Sequence, residues 1–105
     1  MRTNATALVD AVADPSRRAI VECLVARPRS VTEIAAEMPI SRSAVSQHLQ
    51  VLKSVGLVHD HAAGTRRVYR VDPDALAIIR EYFDAFWRRS LDAFRQTVEN
   101  PRGNS

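Results

Sequence analysis

The chain has 105 residues, of which 46% are apolar and 26% are charged. This length suits one domain, and the balance is that of a globular protein rather than a disordered or fibrous one. No apolar run approaches the ~20 residues of a membrane span, and the N-terminal segment lacks the apolar stretch of a signal peptide. The single cysteine excludes an internal disulfide. We therefore expect one domain over residues 1–105 that acts in the cytoplasm, without a membrane partner.

The charges are unevenly distributed along the chain. Residues 41–70 contain five basic residues and one acid, Asp60, so this segment carries +4 while the whole chain carries +3. The histidines of the chain, His48, His59 and His61, lie in the same segment. Positive charge concentrated in one segment indicates a polyanionic partner.

Start and stop signals divide the first half of the chain into helices. The segment 1–13 has the apolar spacing of a short helix, and Asp14 followed by proline is typical of the start of a second one. Ser30 and Glu33 have the spacing of a capping box. The helix that they open ends before the next proline, and a further helical pattern follows after about three residues. Two short helices joined in this way over 31–54 predict a helix-turn-helix.

The apolar period changes from helical to alternating after residue 56. Two alternating runs within 57–71 flank a turn that contains Gly64, which predicts a β-hairpin. An Asp-Pro pair then opens the longest helix, 73–99, and the tail 101–105 is expected to fray. The order predicts a mainly α fold with one small β-hairpin, a winged helix-turn-helix.

The second helix of the helix-turn-helix has one apolar and one polar face. Val45, Leu49 and Leu52 form the apolar stripe, and no acid occurs between residues 41 and 58. A helix face meant only for water usually carries Glu–Lys pairs. Small hydroxyls instead let a backbone enter the major groove, and Gln can pair bidentately with adenine. The candidate DNA-binding residues on this helix are Ser41, Arg42, Ser43, Ser46, Gln47, His48, Gln50 and Lys53.

The hairpin adds Thr65, Arg66 and Arg67 to the candidate DNA-binding residues. They lie at its tip and on its returning strand, with no acid close to them in the sequence. Arginines in that place reach phosphates or the minor groove. Tyr69 and Arg70 alternate, so we expect the tyrosine to be buried and the arginine to face solvent.

Three strings carry a resemblance to a known family. They are SAVSQHLQVLK from Ser43, GLV from Gly56 and GTRRVY from Gly64, and DPSRRAI from Asp14 adds to them. Together they resemble the ArsR-type (arsenic-repressor-like) regulators over about residues 8–94.

The resemblance implies a homodimeric winged-helix protein that binds operator DNA, usually as a repressor. By the family's pattern, Ser46, Gln47 and His48 face the DNA, and Arg42 and Ser43 lie at the entry to the groove. Whether this chain represses or activates stays open, because that depends on where the operator lies relative to the promoter.

The last helix predicts a dimer. It carries Tyr82, Phe83, Phe86, Trp87 and Phe94, five of the six aromatic residues of the chain. An apolar face of that width has to be covered, and a two-fold mate covers it isologously. The Ile78–Tyr82–Phe86 flank is free to fold back on its own domain while the Phe83–Trp87–Leu91 face meets the partner. The predicted interface residues are Leu8, Val12, Ile79, Phe83, Trp87, Leu91 and Phe94. Such a dimer sets its recognition helices ~34–36 Å apart, which implies an inverted-repeat operator.

Metal sensing, which many ArsR-type regulators perform, is not expected here. The segment 32–38 has no cysteine or histidine, and the last helix offers Asp84 and Asp92 without a histidine. Zinc and softer metals need thiolate or imidazole ligands. His59 and His61 are too few for a selective site, and Cys23 is expected to be a buried, inert thiol. A metal or thiol response therefore stays only as an alternative, and we expect no cofactor.

The remaining rival classes find less support. A glycine loop for phosphate or a nucleophile–base set is missing, so the sequence does not predict an enzyme. A protein-interaction module that has lost DNA binding would carry acids or bulky apolar residues on the 42–53 face, which has neither. RNA binding lacks an aromatic platform outside the last helix.

Overall fold

The computed structural model describes residues 4–99, which form five helices and three short strands. In chain order these are α1 (Ala5–Ala13), α2 (Pro15–Ala26), β1 (Arg29–Ser30), α3 (Val31–Ala36), α4 (Arg42–Ser54), β2 (Val58–Ala63), β3 (Arg66–Val71) and α5 (Pro73–Glu99). The predicted fold class, a mainly α winged helix-turn-helix, is confirmed. Residues 1–3 of the predicted N-terminal helix and the tail 101–105 lie outside the described residues.

Side chains from the start of α2 close the corner between α1 and α2. The Oδ2 of Asp14 accepts a hydrogen bond from the backbone N–H of Arg17 at 2.9 Å, and this bond is the main reason that the pKa of Asp14 is lowered. Arg17 Nε donates to the carbonyl oxygen of Ala11 at 2.7 Å, and Arg18 Nη1 donates to that of Val12 at 3.0 Å. The last carbonyls of a helix have no partner within the helix, so these arginines complete the C-terminus of α1.

The predicted capping box opens α3. The Ser30 hydroxyl accepts from the backbone N–H of Glu33 at 3.3 Å, and the Glu33 Oε1 accepts from the backbone N–H of Ser30 at 3.0 Å. The bond from the Ser30 N–H is the main reason that the pKa of the Glu33 carboxyl is lowered. Both residues thereby satisfy N–H groups that the first turn of a helix leaves unpaired.

The turn between α3 and α4 is longer than the sequence predicts. Residues 37–41 separate the two helices, rather than about three residues. The N–H of Glu37 bonds to the carbonyl of Ile34 at 3.0 Å, and that of Met38 bonds to Ala35 at 3.3 Å. These hydrogen bonds span three residues rather than four, so they form tighter turns than an α-helix. Met38 also precedes a proline, and such a residue disfavours the helical conformation, so α3 ends early.

The three strands form one antiparallel sheet in the order β1-β3-β2. Gly64 lies in the turn between β2 and β3 with a φ of +65°, a conformation that L side chains rarely adopt. On the other edge of β3, Arg29 pairs with Tyr69 and Ser30 pairs with Val68. Sequence periodicity does not predict β1, because two residues are too few to show alternation.

The apolar stripe of α4 anchors the helix in the core. Val45, Leu49 and Leu52 have no exposed surface, as the stripe predicts. Tyr69 is also buried and Arg70 is exposed, which confirms the expectation for β3. The buried cluster consists of Leu8, Ala11, Ile20, Val21, Leu24, Ile34, Val45, Leu49, Leu52, Leu57, Val58, Tyr69 and Ala75. Because the stripe is buried, the opposite face of α4 points to solvent.

Only the first turns of α5 pack on this core. Ala75 is buried, and Leu76, Ile78 and Ile79 are half-buried against the cluster. The rest of the helix extends away, so the molecule measures 66 Å along its longest axis and 20 Å along its shortest. None of the helices between residues 4 and 99 has the length and apolar character needed to cross a membrane.

Replacing Ser30 with Ala should lower the free energy of unfolding by ~1 kcal/mol, the usual cost of losing an N-cap side chain. Urea titration followed by circular dichroism measures it. Ser41→Ala at the start of α4 is the matched control, since its hydroxyl makes the same bond to the N–H of Ala44 at 3.0 Å but is exposed. We expect the control to lose less, because water can replace the exposed bond. An equal loss in both variants would contradict this.

Candidate nucleic-acid interface

The solvent-facing side of α4 collects the polar residues that the sequence singles out. Arg42, Ser43, Ser46, Gln47 and Gln50 are all exposed. Ser43, Gln47 and Gln50 lie on the side opposite to the buried stripe, and the helix has no acid. The surface therefore offers hydroxyl and amide groups, which both donate and accept hydrogen bonds, on a helix of 13 residues.

Three further predicted residues of this helix have distinct surroundings. The Ser41 hydroxyl is engaged as the N-cap of α4. His48 is half-buried rather than fully exposed. Lys53 is exposed near the C-terminal end of the helix, where it faces β2. The exposed middle of the face is therefore formed by Ser46, Gln47 and Gln50.

A groove of about 270 Å³ lies between the start of α4 and the wing, which we define as β2, β3 and their turn. It brings together Arg42 with Thr65, Arg66 and Arg67, which lie at least 23 residues later in the chain. The other lining residues are Ser30, Val31, Thr32 and Tyr69. The groove therefore combines apolar surface with residues that carry guanidinium and hydroxyl groups, which donate hydrogen bonds to anionic oxygens.

The expectation that the wing arginines have no nearby acid is wrong. Arg67 Nε donates to Asp60 Oδ2 at 2.6 Å, and Lys53 Nζ lies 2.9 Å from Asp60 Oδ1. Arg66 Nη1 lies 3.8 Å from Glu33 Oε1. The predicted cations thus point at acids of their own chain as well as at solvent.

Strand register explains how Asp60 reaches Arg67. Asp60 pairs with Tyr69 across the hairpin, so Arg67 is its diagonal neighbour on the same face. Distance along the chain hides this contact, whereas the register of the hairpin would reveal it. Asp60 is therefore the residue of this surface that sequence reasoning missed.

The two cations set the ionisation of Asp60. Hydrogen bonds from Arg67 first and Lys53 second lower the pKa of this carboxyl from 3.8 to about 2. The same bond raises the pKa of the Arg67 guanidinium. Asp60 is therefore negatively charged throughout the neutral range.

A second surface, the α5 face, is apolar. It consists of Phe83, Phe86, Trp87, Leu91, Phe94 and Val98, whose exposed fractions run from 39% at Phe83 to 67% at Phe94. Phe86 and Trp87 meet edge to face with ring centroids 5.4 Å apart. Of the flank that was free to fold back on the domain, Ile78 and Tyr82 are half-buried, but Phe86 is exposed.

Three predicted interface residues belong more to the domain than to this face. Leu8 has no exposed surface, so its assignment to the interface is wrong: it supports α1 from inside the core. Val12 and Ile79 are half-buried and pack against the core cluster. The accessible part of the predicted interface is therefore Phe83, Trp87, Leu91 and Phe94.

The candidate metal and thiol residues, His59, His61 and Cys23, do not come together in one site within residues 4–99. His59 Nε2 lies 2.7 Å from Asp72 Oδ2, and among residues 4–99 no group of three His, Cys, Asp or Glu side chains could hold a metal ion. Cys23 is half-buried, not buried as expected, and its thiol donates to Glu37 Oε2 at 3.1 Å. Desolvation first, and this bond second, raise the pKa of the thiol. A raised pKa disfavours the reactive thiolate.

Comparison with known proteins places this arrangement in a family. A model described as a helix-turn-helix domain matches residues 12–61. The HTH-type transcriptional regulator Rv2034 of Mycobacterium tuberculosis is 52% identical over 90 residues, which cover 86% of this chain and 84% of that protein. The transcriptional repressor SdpR of Bacillus subtilis is 32% identical over 66 residues, which cover 63% and 73%.

Solved structures agree. A crystal structure of a possible transcriptional regulator for arsenical resistance has a TM-score of 0.75 at 44% identity, and the match covers 83% of this chain and 91% of that one. The homodimeric winged helix-turn-helix DNA-binding domain of Mb0332 from Mycobacterium bovis, a possible ArsR-family regulator, has a TM-score of 0.65 at 28% identity, with coverages of 87% and 81%. This chain belongs to the ArsR-type family.

ArsR-type proteins are DNA-binding transcriptional regulators and not enzymes. The function expected from α4 and the wing is therefore confirmed at this level: the chain is a DNA-binding transcriptional regulator.

The ion pairs of Asp60 should make the stability of this ArsR-type regulator pH-dependent. Because the folded-state pKa is about 2 and the unfolded one is 3.8, the pairs stabilise the fold above pH ~4 and their contribution disappears as the pH falls towards 2. Asp60→Asn should therefore cost about 1 kcal/mol at pH 6 and little near pH 2, measured by urea unfolding. Glu22→Gln, at an exposed acid of α2, is the control and should show no such trend. A constant deficit for Asp60→Asn at both pH values would contradict the assignment.

Proposed function

We propose that this ArsR-type regulator is a homodimeric repressor that binds an inverted-repeat operator through α4 and the wing. The observation that carries the proposal is the exposed, acid-free face of α4 beside a groove lined by three arginines. The relatives named as repressors, SdpR among them, support the direction of regulation. The proposed compartment is the cytoplasm, since a regulator acts where its operator is.

Base reading is assigned to the middle of α4. Ser46 and Gln47 are exposed there and belong to neither the N-cap nor the paired C-terminal end. Their hydroxyl and amide groups match the donors and acceptors of base edges in the major groove. In this proposal Ser41, Arg42 and Ser43 lie where α4 enters the major groove of the DNA.

The outer residues of the surface bind the backbone of the DNA. Thr65, Arg66 and Arg67 reach phosphates or the minor groove of the DNA from the wing. Their position along the groove between α4 and the wing supports this assignment. His48, Gln50 and Lys53 flank the base-reading positions on α4. Backbone contacts of this kind position a protein on the duplex, whereas base contacts specify the sequence.

The α5 face is the proposed dimer interface. Its six apolar side chains are at least 39% exposed in the single chain, and monomers rarely leave such contiguous patches open. A two-fold mate covers the face with an identical one. The homodimeric state of the Mb0332 domain supports this arrangement. The pair of α4 helices would then read two half-sites about 34–36 Å apart.

Selection of DNA from a random duplex library, with the purified protein, tests the proposal directly. We expect an inverted repeat, and a reporter gene placed behind it should be less active when the protein is present. Selection of no sequence would reject sequence-specific binding. A more active reporter would reject repression.

Replacing Gln47 with Ala should weaken binding to the selected operator by about 1–3 kcal/mol and relax the preference at one base pair per half-site. Gel shifts against operators substituted at each position measure both effects. Gln96→Ala, an exposed glutamine on α5, is the matched control and should bind as the wild type does. An unchanged base preference in Gln47→Ala would remove this residue from the base-reading set.

Replacing Trp87 with Glu should convert the dimer to a monomer, because it places a charge in an apolar interface. Light scattering at micromolar concentration measures the mass, and circular dichroism checks that the helices remain. Gln96→Glu introduces the same group half a turn around α5 from Trp87, since nine residues rotate a helix by about 900°. The control should remain dimeric. A wild-type monomer that still binds the operator tightly would end the dimer proposal.

A further inference from the structure

Asp60 joins the two DNA-binding elements of the chain. Each of its carboxylate oxygens serves one of them: Oδ1 lies 2.9 Å from Lys53 Nζ on α4, and Oδ2 accepts from Arg67 Nε on the wing at 2.6 Å. The Asp60 side chain is 6% exposed, so it lies beneath the surface rather than on it. Residues 55–57 connect α4 to β2 along the chain, and Leu52 of α4 and Val58 of β2 belong to the same buried cluster.

The Asp60 bridge, which consists of Asp60, Lys53 and Arg67, carries a net charge. One carboxylate faces two cations, so the three side chains together carry +1 instead of the +2 that the cations alone would give. The cations keep exposed fractions of 46% at Lys53 and 59% at Arg67, so DNA can still reach them. Arg42, by contrast, makes no ion pair among residues 4–99 and keeps its full charge at the mouth of the same groove.

We propose that Asp60 is a positioning residue for DNA recognition, which holds the wing at a set angle to α4 and reduces the positive charge that Lys53 and Arg67 present to phosphate. This inference rests on the proposed operator binding. It goes beyond it by assigning the selectivity of binding in part to an acid that does not touch DNA.

Physical chemistry explains why such an acid favours selectivity. Phosphate contacts strengthen binding to every sequence alike, since they release counterions without reading bases. An acid that withholds part of this charge weakens non-specific binding. A wing held at one angle, in contrast, lets α4 and the wing engage a correct operator together. Both effects raise the ratio of specific to non-specific affinity.

The ionisation of Asp60 keeps the bridge in place under ordinary conditions. Because the pKa of the carboxyl is lowered to about 2, the charge persists well below neutral pH. The neighbouring charged groups on this part of the surface are Glu33 with Arg66 and, next to Asp60 on β2, His59 with Asp72. Glu33 also pairs with Arg27 at 3.3 Å. Among residues 4–99, none of these four side chains forms an ion pair with Asp60, Lys53 or Arg67, so the Asp60 bridge acts as a separate unit.

Asp60→Asn tests the inference, because it removes the charge and keeps the shape. We expect affinity for a scrambled duplex to rise about five- to tenfold at 0.1 M salt, with the salt slope steeper by roughly one unit. The ratio of operator to scrambled affinity should fall at least fivefold. Glu22→Gln makes the same change in net charge on α2 and should alter neither quantity appreciably. Circular dichroism and light scattering confirm that each variant keeps its fold and mass.

Arg67→Gln gives a second test that does not depend on the folding of the first variant. If Asp60 already neutralises part of Arg67, the salt slope should fall by less than about half a unit, while selectivity falls because the wing loses its tether. A full unit of lost slope with unchanged selectivity would overturn the inference. So would equal slopes and selectivity for Asp60→Asn and the wild type.

These outcomes separate the inference from the function on which it rests. A wild type that selects no DNA sequence rejects both. A wild type that binds its operator, together with an Asp60→Asn variant that does the same with unchanged slope and ratio, rejects only the role of Asp60.

Discussion

Burial of one apolar stripe on α4 determines which side chains of this helix face solvent, among them those proposed to read DNA. Val45, Leu49 and Leu52 are enclosed completely by the core, and helical geometry then directs the residues between them outwards. Rotation of α4 about its axis would expose these side chains, each of which stabilises the fold by roughly 1.5–3 kcal/mol through burial. The orientation of Ser46 and Gln47 is therefore a consequence of packing elsewhere. The stability of the core and the proposed readout of bases are linked through the same turns of α4.

Sequence reasoning works well here where the signal is local. The caps at Asp14, Ser30 and Ser41 are each a side chain that reaches a backbone group three residues away, so a short window of sequence contains the whole interaction. The period of the apolar residues in α4 likewise contains its own orientation. These signals suffice for the order of the elements and for the outward face of α4.

Several features that sequence reasoning missed depend on pairing at a distance. β1 exists because two residues find a free edge on β3, nearly 40 positions later. Asp60 reaches Arg67 through hairpin register, and Leu8 is enclosed by elements that follow it in the chain. A sum of charges along the sequence gives every arginine the same weight. The structure instead uses Arg17 and Arg18 to complete α1, holds Arg29 against Glu37, and leaves Arg42 to solvent.

In the proposed dimer, the C-terminal part of α5 makes the folded fraction of the helix depend on how much protein the cell contains. Between residues 83 and 99 every side chain is exposed except those of Ala85 and Ser90, which are half-buried, so little of the single domain supports this stretch. Helices in proteins owe most of their stability to packing of an amphipathic face, and in the proposed dimer the two-fold mate supplies that packing. In the proposed dimer, folding of this segment depends on the association of two chains, so its midpoint on heating rises with protein concentration. In a cell that makes few copies of such a regulator, a larger fraction of the molecules would have a frayed α5. The expression level itself would then set the fraction of molecules in which α5 is fully folded.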